Sequence, residues 1–309
     1  MPEPRYVELH RTGELTRRAD ALRARLADCD LCPRRCRVDR LSGEVGECGI
    51  GDLAVVASAA PHHGEEVPLS GRQGSGTVFF SGCNLGCSFC QNDDISQSDE
   101  GHLAEPQKLA AIYLRLQELE CHNLNLVTPT HVVPMAIEAL DVAAGLGLRL
   151  PLVFNTGGYD DLEVIRALAG VVDIYMPDAK FGDPEVADRF CGAPDYPEVN
   201  RAVLREMHRQ VGDLVIGDDG LARGGLLVRH LVMPEDQAGT AAVMEFIARE
   251  LSPETYVNLM DQYRPCAGAG RFPEISRRVT TAEMDEARQA ARLVGITRLD
   301  DQDRLRWVF

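Results

Sequence analysis

From residue 77 onward, short apolar runs alternate with amphipathic helical patterns. Six runs have the length and composition of buried strands, namely Thr77–Ser81, Asn123–Thr128, Leu152–Asn155, Val172–Met176, Leu226–Val232 and Tyr256–Met260. Helical patterns separate and follow them near residues 106–121, 131–145, 160–169, 197–211, 238–251 and 281–294. Strands that alternate with helices form βαβ units around a mostly parallel sheet. The pattern therefore predicts an α/β fold, either a partial, open (β/α)6 barrel or a doubly wound sheet.

The segment before residue 77 has a different texture. Leu15, Ala19, Leu22 and Leu26 form a helical stripe that predicts an amphipathic helix over residues 14–28. Residues 29–76 are rich in Gly, Pro, Arg and Cys, which predicts a loop-rich module that needs a bound metal for stability. We therefore expect a small N-terminal helix and cysteine-rich module over residues 1–70 and the α/β domain over residues 71–309. Within that domain, residues 213–225 are typical of a surface turn or lid.

Charge and hydropathy exclude several classes of partner. The 309 residues carry 48 acidic and 32 basic side chains, a net charge of −16 that opposes broad binding to nucleic acid or anionic lipid. No apolar run approaches the roughly 20 residues that span a bilayer. Residues 1–6 lack the apolar segment of a secretory signal. We expect a cytoplasmic protein without nucleic-acid or membrane partners.

Cysteine is the residue type that points to chemistry. The cytosol keeps thiols reduced, so ten cysteines are better explained by metal binding or catalysis than by disulfides. Seven of them form two groups, which we call the amino-terminal cysteine group (Cys29, Cys32, Cys36 and Cys48) and the triplet (Cys83, Cys87 and Cys90). The other three, Cys121, Cys191 and Cys266, stand apart in the sequence.

The triplet directly follows the first predicted strand. Active sites of α/β barrels are built at the carboxyl ends of strands, and three cysteines within eight residues converge from one loop there. Three thiolates can hold three irons of a [4Fe–4S] cluster and leave the fourth iron open, whereas an electron-transfer cluster has four protein ligands. The alternatives are a zinc site and three unrelated buried thiols.

The spacing C-x3-C-x2-C, with Phe89 before the last cysteine, resembles the signature of the radical S-adenosylmethionine (SAM) superfamily. The resemblance implies a partial (β/α)6 barrel, a [4Fe–4S] cluster whose open iron binds SAM, and reductive cleavage of SAM to a 5′-deoxyadenosyl radical. Residues 62–92, with His62-His-Gly-Glu-Glu66 and Gly74-Ser-Gly-Thr-Val-Phe-Phe-Ser-Gly-Cys-Asn84, resemble homologues of pyruvate formate-lyase activating enzyme. That branch implies an oxidoreductase that activates a glycyl-radical enzyme.

The resemblance also implies SAM contacts at later strand ends. The positions that match are Phe89, Thr128, Pro129, Asn155, Asp178, Lys180 and Arg229. Thr128 and Pro129 replace a glycine-rich turn whose carbonyl groups bind the SAM ammonium, and Asn155 replaces an acid. An N-cap at Thr130 and a surface ion pair between Asp178 and Lys180 are the structural alternatives.

Three further positions have open roles. The family histidine near the SAM carboxylate is absent, and Tyr263 or Gln262 could replace it, unless Tyr263 is an ordinary buried tyrosine. His230 is adjacent to Arg229 on the predicted strand and should lie on the opposite face in a structural role. His62 and Glu66 belong to a polar segment that we expect to be a solvated loop.

The amino-terminal cysteine group reads C-x2-C-x3-C-x11-C. Four thiolates at this spacing suit either a closed tetrahedral zinc site or a second iron–sulfur cluster, and the spacing does not choose between them.

These features predict an iron–sulfur enzyme that cleaves SAM and abstracts hydrogen from a protein or small molecule, with glycyl-radical-enzyme activation as the leading reaction. The alternatives are radical modification of a peptide or cofactor and a non-enzymatic electron-transfer protein. The expected partners are an electron donor such as flavodoxin or ferredoxin and a glycyl-radical enzyme or peptide substrate.

Overall fold

The computed structural model describes residues 3–300, which form a mixed α/β fold around one sheet. Its strands are β1 (Ala54–His62), β2 (Ser75–Phe80), β3 (His102–Ala104), β4 (Leu124–Val127), β5 (Leu152–Thr156), β6 (Ile174–Pro177), β7 (Val215–Ile216), β8 (Ala222–Leu231) and β9 (Tyr256–Met260). The path through the sheet is β3-β1-β2-β4-β5-β6-β8, with β9 parallel and β7 antiparallel to β8. The six predicted strands correspond to β2, β4, β5, β6, β8 and β9, which pair in parallel and in chain order.

The helices are α1 (Arg5–Arg11), α2 (Glu14–Ala24), α3 (Val67–Ser70), α4 (Asp93–Ser96), α5 (Pro106–Glu118), α6 (Val133–Gly145), α7 (Leu162–Ala167), α8 (Pro184–Cys191), α9 (Tyr196–Val211), α10 (Thr240–Phe246) and α11 (Thr281–Leu293). The α/β prediction and the predicted helices are confirmed, with boundaries shifted by a few residues. Among residues 3–300, no helix combines the length and the apolar composition needed to cross a bilayer.

One expectation about an irregular segment was wrong. Within the segment expected to be loop-rich, β1 is a nine-residue strand that pairs antiparallel with β2. Its small residues and half-exposed pattern hide the strand signal, because pairing with β2 rather than burial stabilises it. Of the two possibilities for residues 213–225, a surface turn or a lid, the structure shows the turn, which joins β7 and β8 in a hairpin and contains two glycines.

Register separates the sheet into two faces. Directly paired residues of parallel strands share a face, which brings Asn125, Asn155, Asp178, Arg229 and Asn258 to one side. We call this side the site face. The opposite side, which includes buried Leu126, Phe154 and Val228, packs into the main apolar core with the helices. A parallel sheet needs both faces covered, so something besides helices has to cover the site face.

The amino-terminal helices join the helix layer rather than the sheet. Both α1 and α2 pack on α6. Tyr6 of α1 is fully buried, and its hydroxyl donates to the carbonyl oxygen of Leu150 at 3.0 Å. The backbone N–H of Arg5 donates to Asp173 at 3.0 Å. The first helix, which was not predicted from the sequence, is therefore anchored by long-range polar contacts.

Buried Asp160 ties the carboxyl ends of β4 and β5 together. Its two oxygens accept hydrogen bonds from the hydroxyls of Thr130 at 2.6 Å and Thr156 at 2.8 Å. Desolvation raises the pKa of Asp160 from 3.8 to about 6, although both hydroxyls act in the opposite direction. The protonated carboxyl is thus favoured by folding, and its stabilising effect is lost as the pH rises through 6.

We expect Asp160→Asn to remove this loss of stability at higher pH. A neutral amide can accept from one hydroxyl and donate to the other, and it does not ionise. A pKa rise from 3.8 to about 6 corresponds to about 3 kcal/mol. The free energy of unfolding of the variant minus that of the wild type should therefore increase by about that amount between pH 4 and pH 7, measured by urea denaturation. Asp218→Asn, in an exposed turn, is the control, and an unchanged difference for Asp160→Asn would contradict this account.

Candidate active site

The triplet lies in the loop that follows β2, at the carboxyl end of the parallel strands. Two contacts position this loop. Gly82 has φ +78°, and a Cβ there would lie 2.5 Å from the carbonyl oxygen of Cys48, so only glycine fits. The Asn84 side chain donates to the carbonyl oxygen of Tyr159 at 2.6 Å, which joins the loop to the end of β5.

The three thiols of the triplet differ in the direction and cause of their pKa shifts. Burial raises the pKa of Cys83 to about 12, and it also raises the pKa of Cys90, whose sulfur is 3.2 Å from the Ser96 hydroxyl. A hydrogen bond from Cys191 lowers the pKa of Cys87 to about 7, against the effect of burial, and Lys180 contributes in the same direction. Cys87 is therefore the member closest to a thiolate at neutral pH.

Two cysteines that stand apart in the sequence lie beside the triplet. The Cys191 sulfur, at the end of α8, is 3.2 Å from the Cys87 sulfur. The Cys266 thiol donates to the carbonyl oxygens of Phe89 and Cys90, both at 3.3 Å. No local sequence signal marks either residue, because each reaches the loop only through the packing of distant segments.

Phe89 is buried in an aromatic group rather than at the protein surface. Its ring packs at centroid distances of 5.9 Å from Phe181, 6.4 Å from Phe190 and 6.2 Å from Tyr263. The Tyr263 hydroxyl donates to the carbonyl oxygen of Ile275 at 2.7 Å. Tyr263 is therefore an ordinary buried tyrosine, as the alternative interpretation expected, because its hydroxyl group already has a hydrogen-bond partner.

Asp178 and Lys180 form a half-buried ion pair beside Cys87 rather than a fully exposed surface pair. Their charged atoms are 2.5 Å apart. Burial disfavours the charged amine, but Asp178 and then Cys87 raise the pKa of Lys180 well above its usual value. The ammonium group is therefore retained next to the triplet, where it favours thiolates.

Two residues of α9 hold the ends of β5 and β6 together. The Tyr196 hydroxyl contacts the carbonyl oxygens of Gly157 at 2.9 Å and Asp178 at 3.1 Å. The Asn200 amide donates to the carbonyl oxygens of Gly158 and Asp178 at 3.0 and 2.9 Å. A Cβ at Gly158 would lie 2.2 Å from the Asp178 carbonyl oxygen. The sequence does not reveal these contacts, because Tyr and Asn at the start of a helix carry no specific signal.

The turn after β4 is strained at Thr128. This β-branched residue has φ +56°, in the left-handed region, and its N–H donates to the Asn155 carbonyl oxygen at 2.8 Å. Pro129 follows at the beginning of a 3-10 turn, Thr130–Val132. The N-cap expected at Thr130 was wrong, since its hydroxyl bonds the side chains of Asp160 and Thr156 instead.

A largely buried charged network covers part of the site face. Arg229 pairs with both oxygens of Glu66 at 2.7 Å and also with Glu65. The Asn258 amide donates to Glu66 at 2.7 Å, and the Asn125 amide reaches Glu65 at 3.2 Å. The expectation of a solvated loop is therefore wrong for Glu66, which is fully buried because the segment after β1 folds back onto the sheet. His62 is exposed as expected, but it is the last residue of β1 rather than part of a loop.

The remaining candidates occupy the expected faces. Asn155 is buried on the site face, between Val127 and Met176 in register. His230 points to the opposite side, where its ring nitrogens contact the Ala179 carbonyl oxygen at 2.7 Å and the Thr240 hydroxyl at 2.9 Å. The structural role expected for His230 is confirmed. The Gln262 amide nitrogen lies 2.9 Å from the Met260 sulfur.

The amino-terminal cysteine group lines a cavity directly behind the triplet loop. All four of its cysteines contribute to the wall, together with Arg34, Arg40, Asn84 and His131. Burial raises the pKa of Cys32 to about 12, with smaller effects from the other three thiols. The two cysteine groups, which are about fifty residues apart in the sequence, thus lie on the two sides of one loop.

Comparison with known proteins agrees with this geometry. Residues 77–217 match the radical SAM superfamily. An uncharacterized protein of Methanocaldococcus jannaschii is 33% identical over 274 residues, which cover 85% of this chain and 74% of that protein. The chain belongs to the radical SAM superfamily. Members of that superfamily are enzymes with a [4Fe–4S] cluster and SAM, so this chain is a radical SAM enzyme and requires an electron donor.

The residues of this radical SAM chain fit such a cluster. A polynuclear cluster needs thiolates that are spread over several irons, and the triplet offers three of them beside the Lys180 ammonium. The site is also largely shielded from water, since Cys87 and Phe89 are buried.

We expect Glu66→Ala to destabilise the radical SAM fold. Removing Glu66 leaves Arg229 paired with Glu65 but without its two hydrogen bonds to Glu66, and it leaves the buried Asn258 amide without its acceptor, which should lower the free energy of unfolding by about 1–3 kcal/mol in urea denaturation. Burial disfavours charged Glu66, but Arg229 holds its pKa below the usual value, so this contribution is lost as the pH falls. The exposed Glu163–Arg166 pair is the control, and Glu163→Ala should cost less than about 1 kcal/mol. Equal losses in the two variants would contradict a structural role for the network.

Proposed function

We propose that this enzyme cleaves SAM reductively at a [4Fe–4S] cluster held by Cys83, Cys87 and Cys90. The observation that carries the proposal is the triplet at the carboxyl end of β2, with the Asp178–Lys180 ion pair beside Cys87. Six parallel strands in chain order support a partial (β/α)6 barrel as the architecture. In this proposal residues 1–70 form an accessory module and residues 71–309 the catalytic barrel.

The chemistry supplied by the bound cluster is one-electron reduction of SAM to methionine and a 5′-deoxyadenosyl radical. The chain's own contribution is to bind and orient SAM. We assign the carbonyl groups of Thr128 and Pro129 to the SAM ammonium, because strained backbone at a strand end is typical of ligand sites. Asn155 and Asp178 are the hydrogen-bonding groups for other polar parts of SAM, and Lys180 favours the thiolate form of the triplet.

Arg229 fits a different part of the proposal. It has two internal carboxylate partners, so its charge is already balanced without a substrate carboxylate. We therefore assign it to the wall of the SAM pocket, where it holds Glu66 and Asn258 in position. The aromatic group around Phe89 supports the triplet loop from behind and excludes water from it.

We further propose that the radical activates a glycyl-radical enzyme, with flavodoxin or ferredoxin as electron donor in the cytoplasm, where thiols stay reduced. The resemblance of residues 62–92 to activating enzymes supports this reaction. Modification of a peptide or cofactor is the alternative. A glycyl-radical enzyme from the same organism, incubated anaerobically with the reduced protein and SAM, should acquire a glycyl radical by electron paramagnetic resonance. SAM cleavage without that signal would favour the alternative.

Replacing any triplet cysteine by alanine should abolish SAM cleavage. The loss of one thiolate ligand removes an iron attachment, so 5′-deoxyadenosine formation with dithionite as reductant should fall at least about 100-fold, measured by chromatography. Cys121→Ser is the matched control, because Cys121 is also buried but contributes to neither cysteine group. Retained cleavage in all three triplet variants would disprove the cluster assignment.

Thr128 offers a test of backbone recognition. If its carbonyl group rather than its side chain binds SAM, Thr128→Gly should keep SAM affinity within about twofold, because glycine adopts φ +56° without strain. Thr128→Pro should weaken SAM binding more than about tenfold, because proline cannot adopt that φ and removes the N–H that donates to Asn155. Equilibrium dialysis with the reconstituted protein measures both. A large loss in the glycine variant would assign the role to the side chain instead.

A further inference from the structure

The cavity lined by the amino-terminal cysteine group is built around a buried cation. Arg40 is 1% exposed and donates to the carbonyl oxygens of Gly51 at 2.6 Å and His131 at 3.0 Å. It also points at the Cys29 sulfur, 3.8 Å away. Within residues 3–300, no carboxylate lies within ion-pair distance of Arg40. A buried guanidinium needs an anion nearby. The wall contains the exposed Glu47 and four cysteines, and metal binding would convert those cysteines to thiolates.

Among residues 3–300, one ring nitrogen of a second polar side chain of the wall, His131, has no hydrogen-bond partner. The His131 side chain is 1% exposed, and its Nε2 lies 2.8 Å from the Ser81 carbonyl oxygen. A carbonyl only accepts, so Nε2 carries the hydrogen and Nδ1 has a free lone pair. Among residues 3–300 that Nδ1 atom has no hydrogen-bond partner, although it belongs to a residue that lines the cavity. Native structures rarely leave such an atom unsatisfied, which points to a bound group in the cavity.

The place of the four cysteines favours an iron–sulfur cluster over zinc. Four thiolates suit either group, and a zinc ion would only hold the module together. The amino-terminal cysteine group lies directly behind the loop of the triplet, where we propose the catalytic [4Fe–4S] cluster. A redox-active centre beside a cluster that must be reduced has a use there, whereas zinc has no redox chemistry.

The cavity is also joined to the triplet loop by direct contacts. The Cys48 carbonyl oxygen packs against Gly82, the residue before Cys83. Arg34, which also lines the cavity, donates to the carbonyl oxygens of Asn84 at 2.9 Å and Cys191 at 2.9 Å. The backbone of Cys48, in the amino-terminal cysteine group, therefore contacts Gly82, the residue before Cys83 of the triplet, with no side chains between them.

We propose that Cys29, Cys32, Cys36 and Cys48 hold a second [4Fe–4S] cluster, which passes electrons to the cluster at Cys83, Cys87 and Cys90. The test of the metal centre's identity does not depend on the proposed function, whereas the electron relay rests on that proposed function. One electron leaves a reduced flavodoxin or ferredoxin and reduces the second cluster. That cluster returns to its oxidised form when it passes the electron to the triplet's cluster, so electrons balance at each transfer.

The metal centre is tested in full-length protein that is reconstituted anaerobically with ferrous iron and sulfide in the presence of equimolar zinc. The wild type and Cys121→Ser should bind about eight irons per chain. A triple variant with Cys83, Cys87 and Cys90 replaced by alanine should keep about four irons and a paramagnetic signal after reduction that SAM does not change. Zinc and no iron in the triple variant would overturn the proposal. This result does not depend on SAM cleavage, so the two proposals fail separately.

The relay is tested with the double variant Cys32→Ser, Cys48→Ser. With dithionite, which reaches the triplet's cluster directly, its rate of 5′-deoxyadenosine formation should stay within about twofold of the wild type. With reduced flavodoxin the rate should fall more than about tenfold. Equal rates with both reductants would exclude the relay. If the double variant does not fold by circular dichroism, Arg34→Lys, which keeps the charge but loses the forked hydrogen bonds across the two sites, provides the same comparison.

Discussion

The site face of the parallel sheet has to be shielded from water while space is left for an active site. The buried ion pair between Glu66 and Arg229 makes this possible. Helices cover the other face. On the site face, one short segment after β1 brings Leu69 onto the apolar residues Val153 and Ile174 and brings Glu66 onto Arg229. A carboxylate and a guanidinium tolerate burial there only because each satisfies the other. The segment therefore covers part of the site face, and the loop that carries the triplet lies at the carboxyl ends of the strands.

The site at those carboxyl ends depends on backbone positioning as much as on side chains. Tyr196 and Asn200 hold carbonyl groups of two strand ends. Gly82 and Gly158 are places where neighbouring backbone leaves no room for a Cβ. Thr128 is held in a conformation that a β-branched residue rarely adopts. Backbone groups that are fixed in this way lose little conformational freedom on binding, which is the general advantage of preorganised sites.

The same loop lies between the two cysteine groups. One side carries the triplet, and the other side touches the Cys48 carbonyl group and Arg34. His131 bridges the two sides, since its imidazole contacts Ser81 while its residue lines the cavity of the amino-terminal cysteine group. In a radical SAM enzyme the electron supply is as necessary as the cofactor, and the loop shared by the two cysteine groups is the route that the proposed relay would use.

The sequence by itself determined the features that depend on local order. Periodicity predicted the six parallel strands, and spacing identified the triplet, because three ligands on one loop need no long-range information. It also predicted the face of His230 from strand alternation. Tertiary structure alone decided the rest. Cys191 reaches Cys87, Glu66 becomes buried on Arg229, and Tyr196 binds Asp178 only after distant segments pack together. Burial and pairing are sums over neighbours from the whole chain, and no local pattern records them.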